Sequence, residues 1–303
     1  MAHLLPPLLP PPDSGVIDEV QGASRAGPPR GSRFEVFQRP ELPGLELHRG
    51  QDVWDALSRH EHEEYDLVLV EAGARRVSHR GRTQVVGPGS LILNASGEPH
   101  AGASESGWSF RSLYLPQAYF IEANREVGGG GRLPAFSSLV LEQPALAERF
   151  RAACDSLAEA DGALASESLL LAALVDTLLR LADGHPALPK LGREPRAVKQ
   201  VQEYLRGHLA DNVGLDELAG LAGLSRFHLI RVFRAATGLA PHAWQLQLRV
   251  HWAKVLLTQG RPLVDVALET GFADQSHFTR KFKQVVGLPP GAFLRRTRGA
   301  RRP

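Results

Sequence analysis

The span Leu215–Phe293 carries one short pattern twice, and this duplication constrains the fold more than any other feature. The first copy runs Leu215-Asp216-Glu217-Leu218-Ala219, Gly223-Leu224-Ser225, Leu229-x-Arg231-x-Phe233-Arg234, Gly238-Leu239-Ala240-Pro241 and Trp244. The second runs Leu263-Val264-Asp265-Val266-Ala267, Gly271-Phe272, Phe278-x-Arg280-x-Phe282-Lys283, Gly287-Leu288-Pro289-Pro290 and Phe293. The offset is 48 positions before the turn and 49 after it. Each copy reads as helix, tight turn, helix. Leu215, Leu218, Ala219 and Ala222 give the first helix an apolar face, Gly223 supplies the turn and Ser225 caps the second helix. Leu229, Val232, Phe233 and Ala236 then predict a buried stripe, leaving Arg226, Phe227, Ile230, Arg231 and Arg234 for solvent. In the second copy Phe278, Phe282 and Val286 form the stripe, with Asp274 near the helix start. Ser276, His277, Thr279, Arg280 and Lys283 face outward. A helix-turn-helix with a basic, hydrogen-bonding second helix suits a DNA major groove.

Between the copies, Pro241 opens a helix expected to run to about Thr258 and to stop at Gly260. Its inner face is Leu246, Val250, Ala253 and Leu257. Such a rod, roughly 27 Å long at ~1.5 Å per residue, sets the two reading helices about 34 Å apart, one turn of duplex. Arg231 and Arg280 are the expected base-edge or phosphate contacts, Phe227 or Ile230 the thymine-methyl contacts, and Ser276, His277 and Thr279 the hydrogen-bond donors.

Charge divides the 303-residue chain. From Arg193 onward there are 18 Lys/Arg against 8 Asp/Glu, whereas the preceding part holds 17 against 25. A basic half joined to an acidic one assigns the polyanion to the C-terminal part alone. The single cysteine, Cys154, fits a reducing compartment and a small core residue. No apolar run approaches the ~20 residues that cross a bilayer, so a cytoplasmic location with no membrane partner is expected.

Residues 1–32 are a Pro-rich tail expected to be disordered. Residues 33–183 are expected to form one domain of short strands followed by helices over 144–182. Tyr65–Val70, a hairpin of Arg75–Arg80 with Thr83–Val86, Leu91–Leu93 and Trp108–Leu115 are the clearest strands, and a barrel of this kind encloses one small ligand. His60, His62 and His100 converge at its mouth with Glu64 and Tyr65, an arrangement suited to orienting an organic ligand. A divalent metal, with Glu63, Glu64 or Glu71 as a further ligand, is the less favoured alternative, and no metal or cofactor is assigned. Gly128–Gly131 lacks a following Lys-Ser/Thr and is a connector rather than a phosphate loop. Ser168–Leu181 carries more apolar surface than one barrel wall needs, so a dimer seam competes with intrachain packing. Residues 184–195 are a linker, 196–297 the double helix-turn-helix domain and 298–303 a basic tail attracted to phosphate.

These motifs resemble the AraC/XylS family of bacterial transcription regulators. The resemblance rests on 196–296, above all Arg249-Val250-x-x-Ala253-x-x-Leu256-Leu257, Val266-Ala267-x-x-x-Gly271-Phe272-x-Asp274-x-Ser276-x-Phe278-x-Arg280-x-Phe282-Lys283 and Gly287-x-x-Pro290. His60-x-His62, Gly73, Pro88-Gly89-x-Leu91-x-Leu93 and Pro99-His100 are similar to the family's cupin-like sensor barrel. The resemblance implies an α+β two-domain protein, a cupin-like β-barrel with flanking helices followed by an all-α domain of two helix-turn-helix modules joined by a long helix. It further implies a non-enzymatic regulator bound to operator DNA and a small-molecule effector, a homodimer, and transcriptional activation through RNA polymerase. The alternatives are a cupin metalloenzyme with an accessory DNA-binding domain, which needs a metal at His60, His62 and His100, and a non-sensing DNA-binding repressor.

Overall fold

The computed structural model describes residues 32–137, 139–183, 188, 190 and 192–299. Residues 1–31 of the expected 1–32 tail, half of the linker (184–187, 189 and 191) and residues 300–303 lie outside the described residues.

The N-terminal half contains β1 (Arg33–Gln38), β2 (Glu46–Val53), β3 (Ala56–His60), β4 (Tyr65–Gly73), β5 (Arg75–His79), β6 (Arg82–Val86), β7 (Leu91–Asn94), β8 (His100–Ala103), β9 (Trp108–Leu115) and β10 (Val140–Leu141). They form two antiparallel sheets, ordered β1-β2-β9-β4-β7-β10 and β3-β8-β5-β6. The β5–β6 hairpin pairs Arg75 with Val86 and His79 with Arg82, turning through left-handed Arg80 and Gly81. Alternation along β4 sorts its side chains. Val68 and Val70 join Val86, Ile92 and Trp108 inside the barrel. Tyr65, Leu67 and Leu69 face outward into a larger core beneath the helices.

Helix α1 (Gln117–Glu126) follows β9 directly, at a place where the sequence pattern announces no helix. Then come α2 (Pro144–Glu159) and α3 (Ala163–Leu181); α3 ends at the expected Leu181 but begins five residues before the expected Ser168. The C-terminal half is all helical: α4 (Pro195–Gly207), α5 (Leu215–Ala222), α6 (Arg226–Thr237), α7 (Pro241–Thr258), α8 (Leu263–Glu269), α9 (Gln275–Val286) and α10 (Pro290–Gly299). Helix α7 begins at Pro241 and ends where the sequence predicts.

Helix α3 explains its own composition. It buries residues around most of its circumference and packs on α1 and α2 on one side and on α5, α6 and α7 on the other. A helix apolar all round belongs in an interior. The surplus apolar surface is therefore covered within the chain. Cys154 is fully buried, and burial pushes its thiol pKa up, consistent with a core role. Among the described residues no helix is long and apolar enough to cross a membrane.

Candidate nucleic-acid interface and sensor cavity

The two modules repeat the same local chemistry. Ser225 caps α6, accepting from the His228 amide at 3.4 Å, and Asp274 caps α9, accepting from the His277 amide at 2.7 Å. Both turns pass through left-handed glycines, Gly223 and Gly271. Gly271 meets a second demand: a Cβ there would lie 2.7 Å from the main chain of Ala210, so the second turn seats on the loop that opens the first module. Arg249 on α7 adds to that junction, donating to the carbonyls of Leu209 (2.8 Å) and Asp211 (2.9 Å). Arg249 thus locks the two modules together.

The expected DNA-facing set divides on inspection. Arg234, Ser276, Arg280 and Lys283 are exposed, and Arg231 and Thr279 are partly exposed. Phe227 and Ile230 are not outward: they are 8% and 7% exposed and belong to the core cluster that runs through α3. Helical spacing reveals one apolar stripe on α6, but the helix has a second apolar contact against the sensor half. In this conformation neither side chain can meet a thymine methyl. Ala236, expected inside, is exposed. His277 is also buried, at 4% exposure, with Nε2 3.0 Å from Asp161 Oδ1.

Sensor-half acids hold both reading helices. On the first module, Glu122 of α1 pairs with Arg226, which also reaches Asp216 at 3.5 Å, and Ser225 donates to Glu126 at 2.7 Å. Glu167 of α3 accepts from the Leu215 amide at the start of α5. On the second module, Lys281 lies 2.7 Å from Asp161 and 3.3 Å from Glu159, and Arg280 lies 3.7 Å from Glu159. Burial alone would raise the Asp161 carboxyl, but hydrogen bonds from His277 and Lys281 outweigh it and hold its pKa below the ordinary carboxylate value. Next to these contacts is an interdomain cavity of about 440 Å³ lined by residues of α2, α3, α7 and α9, His242 and Lys281 among them. The His242 Nδ1 is buried without a partner among the described residues. Burial lowers the imidazole pKa to about 4, with Asp161 opposing and Lys281 reinforcing that shift.

The barrel encloses a separate cavity of about 670 Å³. Its wall includes Trp108 stacked on Phe110 (4.2 Å), with Arg75 lying 4.1 Å over the Trp108 ring and paired to Asp55 at 2.6 Å. Gly102 leaves the space that this guanidinium fills, since a Cβ there would lie 2.6 Å from it. Asp66 also lines the cavity, receiving hydrogen bonds from Asn94 at 2.9 Å and from Ser112. The Asp66 charge, with burial second, pushes the Tyr114 phenol pKa up and keeps it neutral. Sequence patterning missed Asp55, Asp66, Arg75, Trp108 and Tyr114 as wall residues. Alternation along β4, with polar Asp66 on the same face as Val68, was the available signal for Asp66.

His60, His62 and His100 do come together, their ligating nitrogens within 4.8 Å of one another, and His60 and His100 line the cavity. Burial, and secondarily the neighbouring imidazoles, lower the His100 pKa against the opposing hydrogen bond to the Glu98 carbonyl. Tyr65 is not at this mouth: it faces the outer core, its ring 4.1 Å from Phe120, because it sits one residue out of phase with Asp66. Glu64 contributes its carbonyl to His62 and its side chain does not line the cavity. Glu71 is paired with Arg111 (2.9 Å) and Arg151 (3.1 Å), so it cannot serve the histidines.

The match to known proteins covers both halves. Residues 42–174 match the AraC-like ligand binding domain and residues 218–296 a helix-turn-helix domain. The HTH-type transcriptional regulator YbfI of Bacillus subtilis (strain 168) is 31% identical over 235 residues, covering 77% of this chain and 85% of that protein. The chain belongs to the AraC/XylS family. The arabinose operon regulatory protein of Escherichia coli (strain K12) is 29% identical over 242 residues, 76% of this chain and 80% of its own length. Among solved structures, the DNA-binding domain of AdpA in complex with a target DNA is 30% identical over 35% of this chain and 96% of that one, with a TM-score of 0.33. Unsaturated fatty acid bound wild-type ToxT of Vibrio cholerae is 12% identical over 86% of this chain and 95% of that one, with a TM-score of 0.34. This family member is a ligand-responsive, DNA-binding transcriptional regulator.

Proposed function

We propose that an effector in the barrel controls DNA binding by changing how the sensor half holds the two reading helices. One observation carries this reading: Glu122 and Glu126 engage the start of α6, while Glu159 and Asp161 engage α9. These carboxylates occupy the basic and hydrogen-bonding groups that a phosphate backbone would otherwise take. The conformation described is the held one. An effector shifts it by binding the released arrangement more tightly. In the released state Arg231, Arg234, Ser276, Thr279, Arg280 and Lys283 contact DNA, with Arg226 and His277 joining once their acids withdraw. In this reading the effector sits among His60, His100 and the aromatic wall, which line the cavity.

The domain limits proposed are 33–183 for the sensor and 196–297 for the DNA-binding part. Family likeness supports a cytoplasmic homodimer that activates transcription by touching RNA polymerase.

A genome-wide footprint of bound sites tests the reading. Paired major-groove contacts about one helical turn apart are expected, ~10–10.5 bp centre to centre. Equal occupancy of random DNA would leave a non-sensing architectural binder. A second arm uses residues 190–303 alone: if that fragment answered the effector as the full chain does, the sensor assignment would be wrong.

A further inference from the structure

The three histidines at the barrel mouth share one feature that an organic-ligand pocket does not require. Each Nδ1 is tied to a main-chain carbonyl: His60 to Ser58 at 2.8 Å, His62 to Glu64 at 2.8 Å and His100 to Glu98 at 2.9 Å. A carbonyl can only accept, so each Nδ1 carries the proton and each Nε2 is left with its lone pair. The rings are clustered, with centroids 4.5 Å apart for His60–His100, 4.9 Å for His62–His100 and 6.1 Å for His60–His62. The His62 Nε2 is buried with no hydrogen-bond partner among the described residues. Three lone pairs turned toward one small volume repel one another unless a cation sits among them. Fixing the tautomer and ring plane through the far nitrogen is how proteins prepare imidazoles for a metal.

We propose that His60, His62 and His100 bind one divalent late first-row transition ion, such as Zn²⁺, Co²⁺ or Ni²⁺, with an open coordination position toward the barrel cavity. The reading rests on the barrel being the effector pocket and makes the ion part of what that pocket binds. Neutral imidazoles exclude Mg²⁺ and Ca²⁺, which demand oxygen donors. Asp66, Glu71 and Glu98 are otherwise engaged: Glu71 with Arg111 and Arg151, Glu98 with His79 and Arg80, and Asp66 with Asn94 and Ser112. Three protein ligands then leave the fourth tetrahedral place for an oxygen or nitrogen donor in the cavity, since His60 and His100 both line its wall. Tetrahedral Zn–N bonds of about 2.0–2.1 Å put partner nitrogens about 3.3 Å apart, so loading closes the cluster by at most about 1.5 Å. His60 already pairs with His100 across the hydrogen-bonded strands β3 and β8, so side-chain rotation and the loop that carries His62 after β3 take up this closure.

Chelator-treated full-length chain titrated with Co²⁺ and, separately, with Zn²⁺ by calorimetry tests the site. The expected result is one ion per chain and the intense visible absorption of tetrahedral Co²⁺. His60 is exposed, so His60→Ala should keep the fold by circular dichroism and weaken binding at least about tenfold, while His62→Ala with His100→Ala weakens it by more than about 100-fold. Binding that survives the double variant unchanged, or no ion retained at about micromolar concentration, overturns the site. Either negative leaves the footprint of the regulator untouched, and a failed footprint leaves the titration untouched, so the two readings fail separately.

Discussion

The two helix-turn-helix modules share one pattern yet are fastened to the molecule in different ways. The first has surrendered its core. Leu215, Leu218, Phe227, Leu229, Ile230 and Phe233 belong to the same apolar cluster as the barrel's outer face and α3. The second keeps a core of its own, built by Val250, Leu257, Val266, Phe272, Phe278 and Phe282. It meets the sensor half through His277, Arg280 and Lys281 against Glu159 and Asp161. Apolar burial is indifferent to charge state and is lost only when the surface separates. Ion pairs and hydrogen bonds, even buried ones such as those of His277 and Lys281 with Asp161, add little net stability over full hydration of both partners. Water or phosphate can therefore replace them when the surfaces separate. The comparison teaches that the second module is the one built to let go first.

The largest expected effect breaks or sharpens this contrast directly. Phe227→Ala and Phe278→Ala should each cost ~3–5 kcal/mol. The first should lower the unfolding of sensor and DNA-binding halves together, and the second that of the second module alone. Two resolved transitions in Phe278→Ala and a single lowered one in Phe227→Ala, seen by calorimetry, are the expected outcome. The same two-transition trace from both variants would erase the distinction.

Acid should act next, through the interdomain cavity. His242 has an ordinary imidazole pKa when unfolded and about 4 in the folded chain. The unfolded chain therefore binds more protons between those values. The contribution is fully present above the unfolded value and is lost as pH falls from about 6.5 toward about 4, by up to ~1.4 kcal/mol per pH unit. Asp161, held low, stays ionised across that window and does not mask it. Melting midpoints measured against pH should fall along this limb, and His242→Phe should flatten it.

Smaller effects belong to DNA. Arg280→Ala should weaken specific binding by ~1–3 kcal/mol with the fold intact. Arg226→Ala, which removes a guanidinium bound on two sides by Glu122 and Asp216, should cost less, under about 1 kcal/mol, because freeing that group from its acids offsets what DNA contact gains. Gel-shift titrations on a duplex selected from random sequence measure both. An Arg226 effect exceeding that of Arg280 would reverse the order of the modules.

Much of this was legible in sequence because it is local. Helix α7 starts at Pro241 since proline suits the first turn, and the β5–β6 hairpin turns at Gly81 since a positive φ favours glycine. What escaped was long-range. Nothing near His277 announces Asp161, which lies 116 residues away. The burial of Phe227 and Ile230 depends on α3, whose apolar circumference was visible but whose covering was not. Tyr65 was misplaced by one step of strand phase, an error that flips a side chain to the opposite face. The histidine cluster was legible as a set, while its fixed tautomers depend on carbonyl positions that only the fold supplies.

The proposed restraint of the second reading helix by Glu159 and Asp161 rests on their contacts with Arg280 and Lys281. Its most direct test is a fluorescence titration of selected duplex DNA with the full chain, effector absent, comparing the native protein with the Glu159→Gln, Asp161→Asn double variant. Loss of the restraint should tighten binding about tenfold, equivalent to ~1.4 kcal/mol. Unchanged or weaker binding, with circular dichroism showing the variant folded, would contradict the account.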